Sequence, residues 1–269
     1  MNFLVIDVSY FNFWRYYATK IWYTRSHEDE VIEPGYDWSE NTVFMEKYKK
    51  LYFQTLKKYI KKFKPHKIVL ARDCPRKSIW RMNFYPEYKG TRDEIYKKNK
   101  FMGGKIFKWT YDNIIPELLK DDIFQQIKID NAEADDIIYL CCEKVRKNPD
   151  NIISIISSDH DLLQIIDSSF NIKLYQGNLK TYNNKAKGNA DISNFIKAII
   201  GDCSDNIPKV FNGVGEKTAV KLYNDTDMLL DKFRKNKGSF EKYVINRLLV
   251  DFKYIPIELS NELDKVFKL

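Results

Sequence analysis

Nine carboxylates are placed where a chain folding around a parallel sheet would gather them: Asp7, Asp73, Glu133, Asp135, Asp136, Asp159, Asp161, Asp202 and Asp205. Asp7 ends the apolar run Phe3-Leu4-Val5-Ile6, Asp73 comes just after Ile68-Val69-Leu70-Ala71, and Asp159 and Asp161 follow Ile152 to Ile156. In open α/β sheets, ligand-binding groups collect beyond the carboxyl ends of the strands, so these strand-end acids are expected to be neighbours. Such a crowd repels itself unless hard cations sit among it, and an all-oxygen donor set selects Mg²⁺ or Mn²⁺ over zinc. Cys74, Cys141, Cys142 and Cys203 form no CxxC pair and His27, His66 and His160 are scattered, which reads as reduced thiols in a cytosolic-type protein.

The acids fall into short motifs. Glu133-Ala134-Asp135-Asp136 opens a helix, where the macrodipole favours acids, but capping needs one or two and here three occur in four positions. Asp159 and Asp161 are two apart, so in extended backbone both side chains point one way and can grip one cation; a turn held by Asp hydrogen bonds would explain the pair alone. Gly201-Asp202-Cys203-Ser204-Asp205-Asn206-Ile207-Pro208 leads on to Gly213-Val214-Gly215 between two helical patterns. Two glycines around one apolar residue have the form of a helix–hairpin–helix turn, whose free N–H groups can hold a phosphate at the helix start. Gly215-Glu216-Lys217-Thr218 is not a P-loop, because Glu216 stands where glycine should precede the lysine and Phe211 holds the first glycine's place.

These motifs need elements to carry them. The periodicities predict a buried strand over residues 3–8, a helix over Phe11 to Tyr23, a loop over 25–41, a long amphipathic helix from Thr42 to Phe63 and a strand over Lys67 to Ala71. That β-α-β order implies a right-handed crossover and a mostly parallel sheet. From Arg76 to Lys108 the chain is dense in Arg and Lys and interleaved with aromatics. Tyr88 is expected to stack on bases, while Trp80, Phe84 and Phe101 are expected in the core. Helices are expected through Ile114–Phe124 and from Ala132 to about Arg146, strands at Ile152–Ile156 and Ile172–Tyr175, and a polar stretch around Asn183–Asn189. The remainder reads helical at Ile192–Ile200, Glu216–Leu222 and Glu241–Phe252, with a domain boundary near residue 190.

At 269 residues and 44% hydrophobic content the chain can bury one or two substantial cores, and 30% charged residues fit a folded, not a disordered, protein. Lys and Arg exceed Asp and Glu by 45 to 37, a net charge of +8. A basic surface around an acidic pocket suits a polyanion whose backbone is the substrate; a merely solvated basic face fits less well, because the basic residues are concentrated in particular stretches. The N-terminus meets Asp7 too early for a signal peptide, and no apolar run approaches membrane-spanning length.

Taken in order, Asp7, Asp73, Arg81, Tyr88-Lys89-Gly90-Thr91-Arg92, Glu133-Ala134-Asp135-Asp136, Ser158-Asp159-His160-Asp161, Gly201-Asp202 with Asp205-Asn206-Ile207-Pro208, and Gly213-Val214-Gly215 resemble the flap endonuclease/5′–3′ exonuclease family. The likeness is greatest to its compact bacteriophage members and to the 5′-nuclease domain of bacterial DNA polymerase I, and it runs from residue 3 to about 225. It implies an α/β fold with a PIN-like, mostly parallel sheet over residues 1–190, a helical arch at about 84–128, and a C-terminal helical DNA-binding region over 191–269. It further implies two or more Mg²⁺ ions, replaceable by Mn²⁺. Asp7, Asp73, Glu133 and Asp135 would form a first metal cluster, and Asp136, Asp159, Asp161, Asp202 and Asp205 a second, bridged by Asp135 or Asp136. Lys89 and Arg92 resemble the catalytic basic pair at the base of the arch. Arg81, Tyr88, Gly213, Gly215, Lys217 and Thr218 would contact DNA, with a potassium ion at the hairpin.

The implied activity is hydrolysis of phosphodiester bonds at 5′ ends and 5′ flaps of DNA in replication or repair, extending to RNA primers in hybrids. A monomer in the cytoplasm of a bacterium or of a virus-infected cell is expected. One rival is a non-catalytic, structure-specific DNA-binding protein of the same fold, which would be expected to have lost acids. A second, a PIN-type RNA-cleaving nuclease, would lack the Tyr88–Arg92 motif and the glycine hairpin. Residues 25–41 and 225–269 match no named part of the family.

Overall fold

The computed structural model describes residues 1–166, 171–181 and 190–268; the polar stretch 183–189 lies outside them. Five parallel strands, β1 (Asn2–Asp7), β2 (Lys67–Ala71), β3 (Phe124–Ile127), β4 (Ile152–Ile156) and β5 (Ile172–Tyr175), lie in the order β3-β2-β1-β4-β5. The central β1 pairs on both sides, Val5 opposite Val69 and opposite Ile155. Its side chains alternate between two cores, as a period of two requires. Phe3 and Val5 face the helix α6 (Ala134–Val145), while Leu4 and Ile6 face α1 (Val8–Ser26) and α2 (Thr42–Phe63). Chain order reverses between β1 and β4, and such a switch point opens a crevice at the carboxyl ends of the strands.

The two long helices form where the periodicity predicts. The α2 stripe of Phe44, Tyr48, Tyr52, Leu56 and Tyr59 is buried, Asn41 caps the helix by accepting from the Phe44 N–H at 2.8 Å, and Lys64 ends it in a left-handed turn before Pro65. Asp7 caps α1, accepting from the Tyr10 N–H at 2.9 Å, so the helix starts three residues earlier than predicted.

One expectation is corrected between residues 92 and 127. The basic stretch contains α3 (Arg92–Lys98) and α4 (Gly104–Trp109), and α4 continues through a π-helical turn (Thr110–Ile114) into the short α5 (Ile115–Leu118). The helix expected up to Phe124 therefore ends at Leu118, and Phe124 opens the edge strand β3. Between α3 and α4, Phe101 inserts among α1 aromatics, stacking on Phe13 at 5.0 Å and meeting Tyr16 edge-on at 5.5 Å. A Cβ on Gly103 would lie 2.3 Å from the Phe101 ring, so this docking requires glycine there.

The C-terminal part comprises α7 (Ala190–Ile200), α8 (Glu216–Asn224), α9 (Thr226–Lys235), α10 (Ser239–Val250) and α11 (Ile257–Val266). Phe195, Ile199, Phe211, Val214, Ala219 and Leu222 form a core of their own. By contrast α11 returns to the sheet: Asp264 pairs with Lys144 at 2.6 Å, the Val266 carbonyl accepts from Gln125 at 2.6 Å, and Phe267 packs edge-on to Phe3 at 6.5 Å.

Candidate active site

A cleft of about 880 Å³ opens at the carboxyl edge of the sheet, at the β1–β4 switch point. Asp7 and Asp73 reach it from the ends of β1 and β2, Glu133 and Asp135 from the start of α6, Asp159 and Asp161 from the loop after β4, and Asp202 and Asp205 from the turn after α7. That turn is closed by paired backbone bonds between Asp202 and Ile207, and Gly201 fits it because a Cβ would lie 2.4 Å from the Ile207 carbonyl oxygen.

Uncharged donors fix the strand-end acids. Asp7 accepts from Ser157 Oγ at 3.0 Å; Asp73 accepts from the Ala134 N–H at 2.8 Å and from Ser9 Oγ at 2.5 Å. The chain's own cations go to the others. Lys89 bonds to Glu133 and lies 3.9 Å from Asp205, Arg92 pairs with Asp205 at 2.9 Å, and Lys197 bridges Asp161 at 2.6 Å and Asp202 at 2.7 Å. Among the described residues no ion pair reaches Asp7, Asp73, Asp135 or Asp159.

The electrostatics follow from this division. Burial, with Asp73 alongside, pushes the Asp7 carboxyl up to about 7. Burial, with Asp159 and Asp7 nearby, raises Asp135 well above the usual carboxylate range. Burial works the same way on Glu133, but Lys89 and Arg81 outweigh it and hold that carboxyl at about 2. Asp202, also opposed by burial, is held at about 2 by Lys197. Eight carboxylates and four cations (Arg76, Lys89, Arg92 and Lys197) line the cleft, so full ionisation leaves four negative charges uncompensated. Two divalent cations would neutralise that excess, and the donors are all hard oxygens of the kind Mg²⁺ and Mn²⁺ take. The donor set therefore fits a pair of such ions, and one carboxylate oxygen each from Asp161, Asp202 and Asp205 lie within 4.8 Å of one another.

Four of the sequence assignments change. Asp136 does not line the cleft; fully buried, it takes both terminal nitrogens of Arg81 at 2.8 and 3.0 Å and the Trp80 indole N–H at 3.0 Å. Arg81, 2% exposed, is no DNA contact, because its fork is consumed by Asp136, by Glu133 at 2.9 Å and by the Leu249 carbonyl at 2.8 Å. Tyr88 cannot stack on a base: its ring is 3% exposed among Cys74, Ile79, Ile207 and Leu249, and its hydroxyl donates to Glu133 at 3.1 Å. Phe84, expected in the core, is instead half exposed, whereas Trp80 is buried and Phe101 is partly so.

Lys89 and Arg92 do reach the cleft. Gly213, Gly215, Lys217 and Thr218 lie away from it, exposed at the start of α8, with Gly213 in the left-handed region at φ +71°. Sequence reasoning missed Lys197, Ser9 and Ser157. Only Lys197 carried a signal, as the lone cation in the apolar run Ile192–Ile200.

Acids massed at the switch point of a parallel sheet, overhung by a basic helical segment, define the class: an α/β nuclease fold of PIN-like type. Residues 2–192 match the family described as 5′-3′ exonuclease, N-terminal resolvase-like domain. The chain is 30% identical over 241 residues to a 5′-3′ exonuclease of Mycoplasmopsis pulmonis, covering 79% of this chain and 74% of that one. It is 28% identical over 212 residues to a protein of Enterobacteria phage T4 named ribonuclease H, covering 73% and 68%. The structure of the bacteriophage T5 flap endonuclease in a pseudo-enzyme-product complex with DNA and metal ions superposes with a TM-score of 0.66 at 19% identity, over 98% of this chain and 97% of the other, a likeness of fold. The chain belongs to the 5′–3′ exonuclease family and is a 5′-nuclease, a phosphodiester hydrolase.

Proposed function

We propose that this nuclease uses two Mg²⁺ ions to cut DNA at 5′ ends and 5′ flaps during replication or repair. The observation that carries the proposal is the cleft with four acids that form no ion pair with the chain's own cations among the described residues. Asp7, Asp73, Glu133 and Asp135 would hold one ion, and Asp159, Asp161, Asp202 and Asp205 the other; Asp136 leaves the set. When bound, such a pair activates water and shields charge on both oxygens of an in-line displacement. Lys89 and Arg92 extend from the arch side of the cleft and would turn from Glu133 and Asp205 towards the scissile phosphate, where preorganised charge stabilises the transition state. The Gly213–Gly215 hairpin, with Lys217 and Thr218, would hold duplex through backbone N–H groups, and its carbonyls are oxygen donors of the kind potassium takes. The name of the phage T4 relative supports RNA primers in hybrids as further substrates.

The test is a labelled 5′-flap duplex incubated with Mg²⁺ or with chelator, using the parent enzyme and the Asp159→Asn/Asp161→Asn double variant. Cleavage should need the metal, and the variant should lose it while still binding the flap, because affinity comes mainly from Lys and Arg contacts to phosphate. Full cleavage by the double variant in Mg²⁺ would sink the two-metal assignment.

A further inference from the structure

Of the four cations that line the cleft, three are paired with acids assigned to the metal sites: Lys89 with Glu133, Arg92 with Asp205, and Lys197 with Asp161 and Asp202. Arg76 is the exception. Its Nη1 donates to Asp93 Oδ1 at 2.7 Å, and Asp93 lies outside the cleft, in the first turn of α3. Divalent ions at the acidic centre would compete with the other three pairs and leave this one intact. The contact is weakly held, because the Arg76 side chain is 31% exposed and that of Asp93 71%, so water and salt screen it. It is also one-armed: a single guanidinium nitrogen is engaged, whereas a phosphodiester can take two parallel N–H donors of the fork. Arg76 stands on a fixed loop. The Cys74 N–H donates to the Ala132 carbonyl and the Trp80 N–H to that of Asn131, each at 3.0 Å, and the Ser78 N–H closes the turn between them on the Pro75 carbonyl at 2.9 Å. Asp93, by contrast, sits on a short helix that buries none of its residues.

We infer that Arg76 takes a phosphate of the strand entering the cleft and that Asp93 is a built-in competitor for it, a carboxylate that holds the guanidinium until nucleic acid displaces it. The inference rests on the proposed hydrolysis of a phosphodiester at the acidic centre. The exchange needs only a turn of one side chain, since Arg76 already lines the cleft and its loop is pinned at both ends. One screened, one-armed ion pair is given up for a charge-assisted, two-armed one, so the exchange favours the bound strand. The competitor keeps affinity below what the cleft cations alone would give. Neither partner is a proposed metal ligand, so the device works with the acidic centre empty or filled, which separates Arg76 from Lys89, Arg92 and Lys197.

The discriminating measurement is a double-mutant cycle in equilibrium binding of a labelled 5′-flap duplex, in chelator and across a salt series, with no turnover. Asp93→Asn should bind ~2–5-fold more tightly, the factor that the worth of an exposed ion pair sets. Arg76→Gln should bind ~3–10-fold more weakly, and the slope of log K against log salt should fall by about 1, as loss of one phosphate contact requires. In the Arg76→Gln/Asp93→Asn double variant the tightening by Asp93→Asn should disappear. Removing any negative charge beside a polyanion strengthens binding a little, so Glu94→Gln, in the same turn of α3, is the control, and its effect should be equal with and without Arg76. Misfolding cannot produce a gain of affinity, so the Asp93→Asn arm stands whatever Arg76→Gln does to its loop. Parent affinity in Asp93→Asn, or a tightening that persists at full size in the Arg76→Gln background, would overturn the inference. Absence of cleavage by the parent enzyme in Mg²⁺ would instead overturn the nuclease reading.

Discussion

Arg81 shows how much of the centre depends on one residue outside it. Its guanidinium is wholly engaged by Glu133, Asp136 and the Leu249 carbonyl, tying the start of α6 to the end of α10. Removing one member of a buried ion cluster leaves charges with neither water nor partner, which typically costs about 3–5 kcal/mol. Arg81→Ala should therefore lower unfolding stability in denaturant titrations by that amount, and Arg81→Lys should recover little of it, because an ammonium cannot span both carboxylates as a planar fork does. A loss under about 1 kcal/mol in the Ala variant would mean that water or a neighbouring cation replaces the guanidinium.

At the level of elements, the segment from Lys89 to Trp109 raises the question of strand passage. Its base carries Lys89 and Arg92 into the cleft and its tip is held to α1 by Phe101. If it encloses a free 5′ end, a bulky protein attached to that terminus before enzyme is added should block cleavage, and one attached after binding should not. Undiminished cutting of the pre-blocked flap would mean that the strand runs beside the segment. The same region shows what the sequence could and could not reveal. The α2 helix was legible because its aromatic stripe has helical spacing, β1, β2 and β4 as short, mostly apolar runs, and β5 by its alternation. β3 was not, because an edge strand can carry polar residues such as Gln125 and Gln126 and has no apolar signature. Tyr88 looked like a DNA surface because its neighbours are basic and aromatic, and Arg81 because of the family resemblance; only the fold shows both turned inward onto acids. Of the three acids opening α6, residue type cannot say which one turns away from the cleft; Asp136 does so because Arg81 and Trp80 are buried there to receive it.

For the whole molecule, the crowded centre makes stability depend on pH. Asp7 titrates at about 7 in the folded chain and near its ordinary value when unfolded, and Asp135 is raised likewise, so between pH 4 and 7 the folded state holds more protons. Unfolding then becomes easier as pH rises through that window. The depressed carboxyls Glu133 and Asp202, at about 2, stabilise the fold fully above about pH 5 and lose that effect progressively as pH falls from there towards 2. The metal-free protein should accordingly melt at lower temperature at pH 8 than at pH 5.5. Mg²⁺ should raise the melting temperature more at pH 8, where it need not displace protons. A metal-free melting temperature that climbs from pH 5.5 to 8 would contradict the assignment of raised carboxyls.

Cys203 sits in the turn between Asp202 and Asp205, lines the cleft and is exposed, whereas Cys74, Cys141 and Cys142 are buried, and burial pushes all three of those thiols up. The native enzyme thus carries one thiol open to alkylation, beside its acids. A maleimide should add a single adduct by intact mass and abolish cleavage, a non-cleavable flap should slow the labelling, and Cys203→Ser should leave an enzyme that the reagent no longer inactivates. Full activity in singly labelled protein would mean that the bound strand runs clear of this turn. If a maleimide on this turn blocks cleavage, oxidation of the same thiol should do so too, and the activity of a crude preparation would then depend on the reductant present.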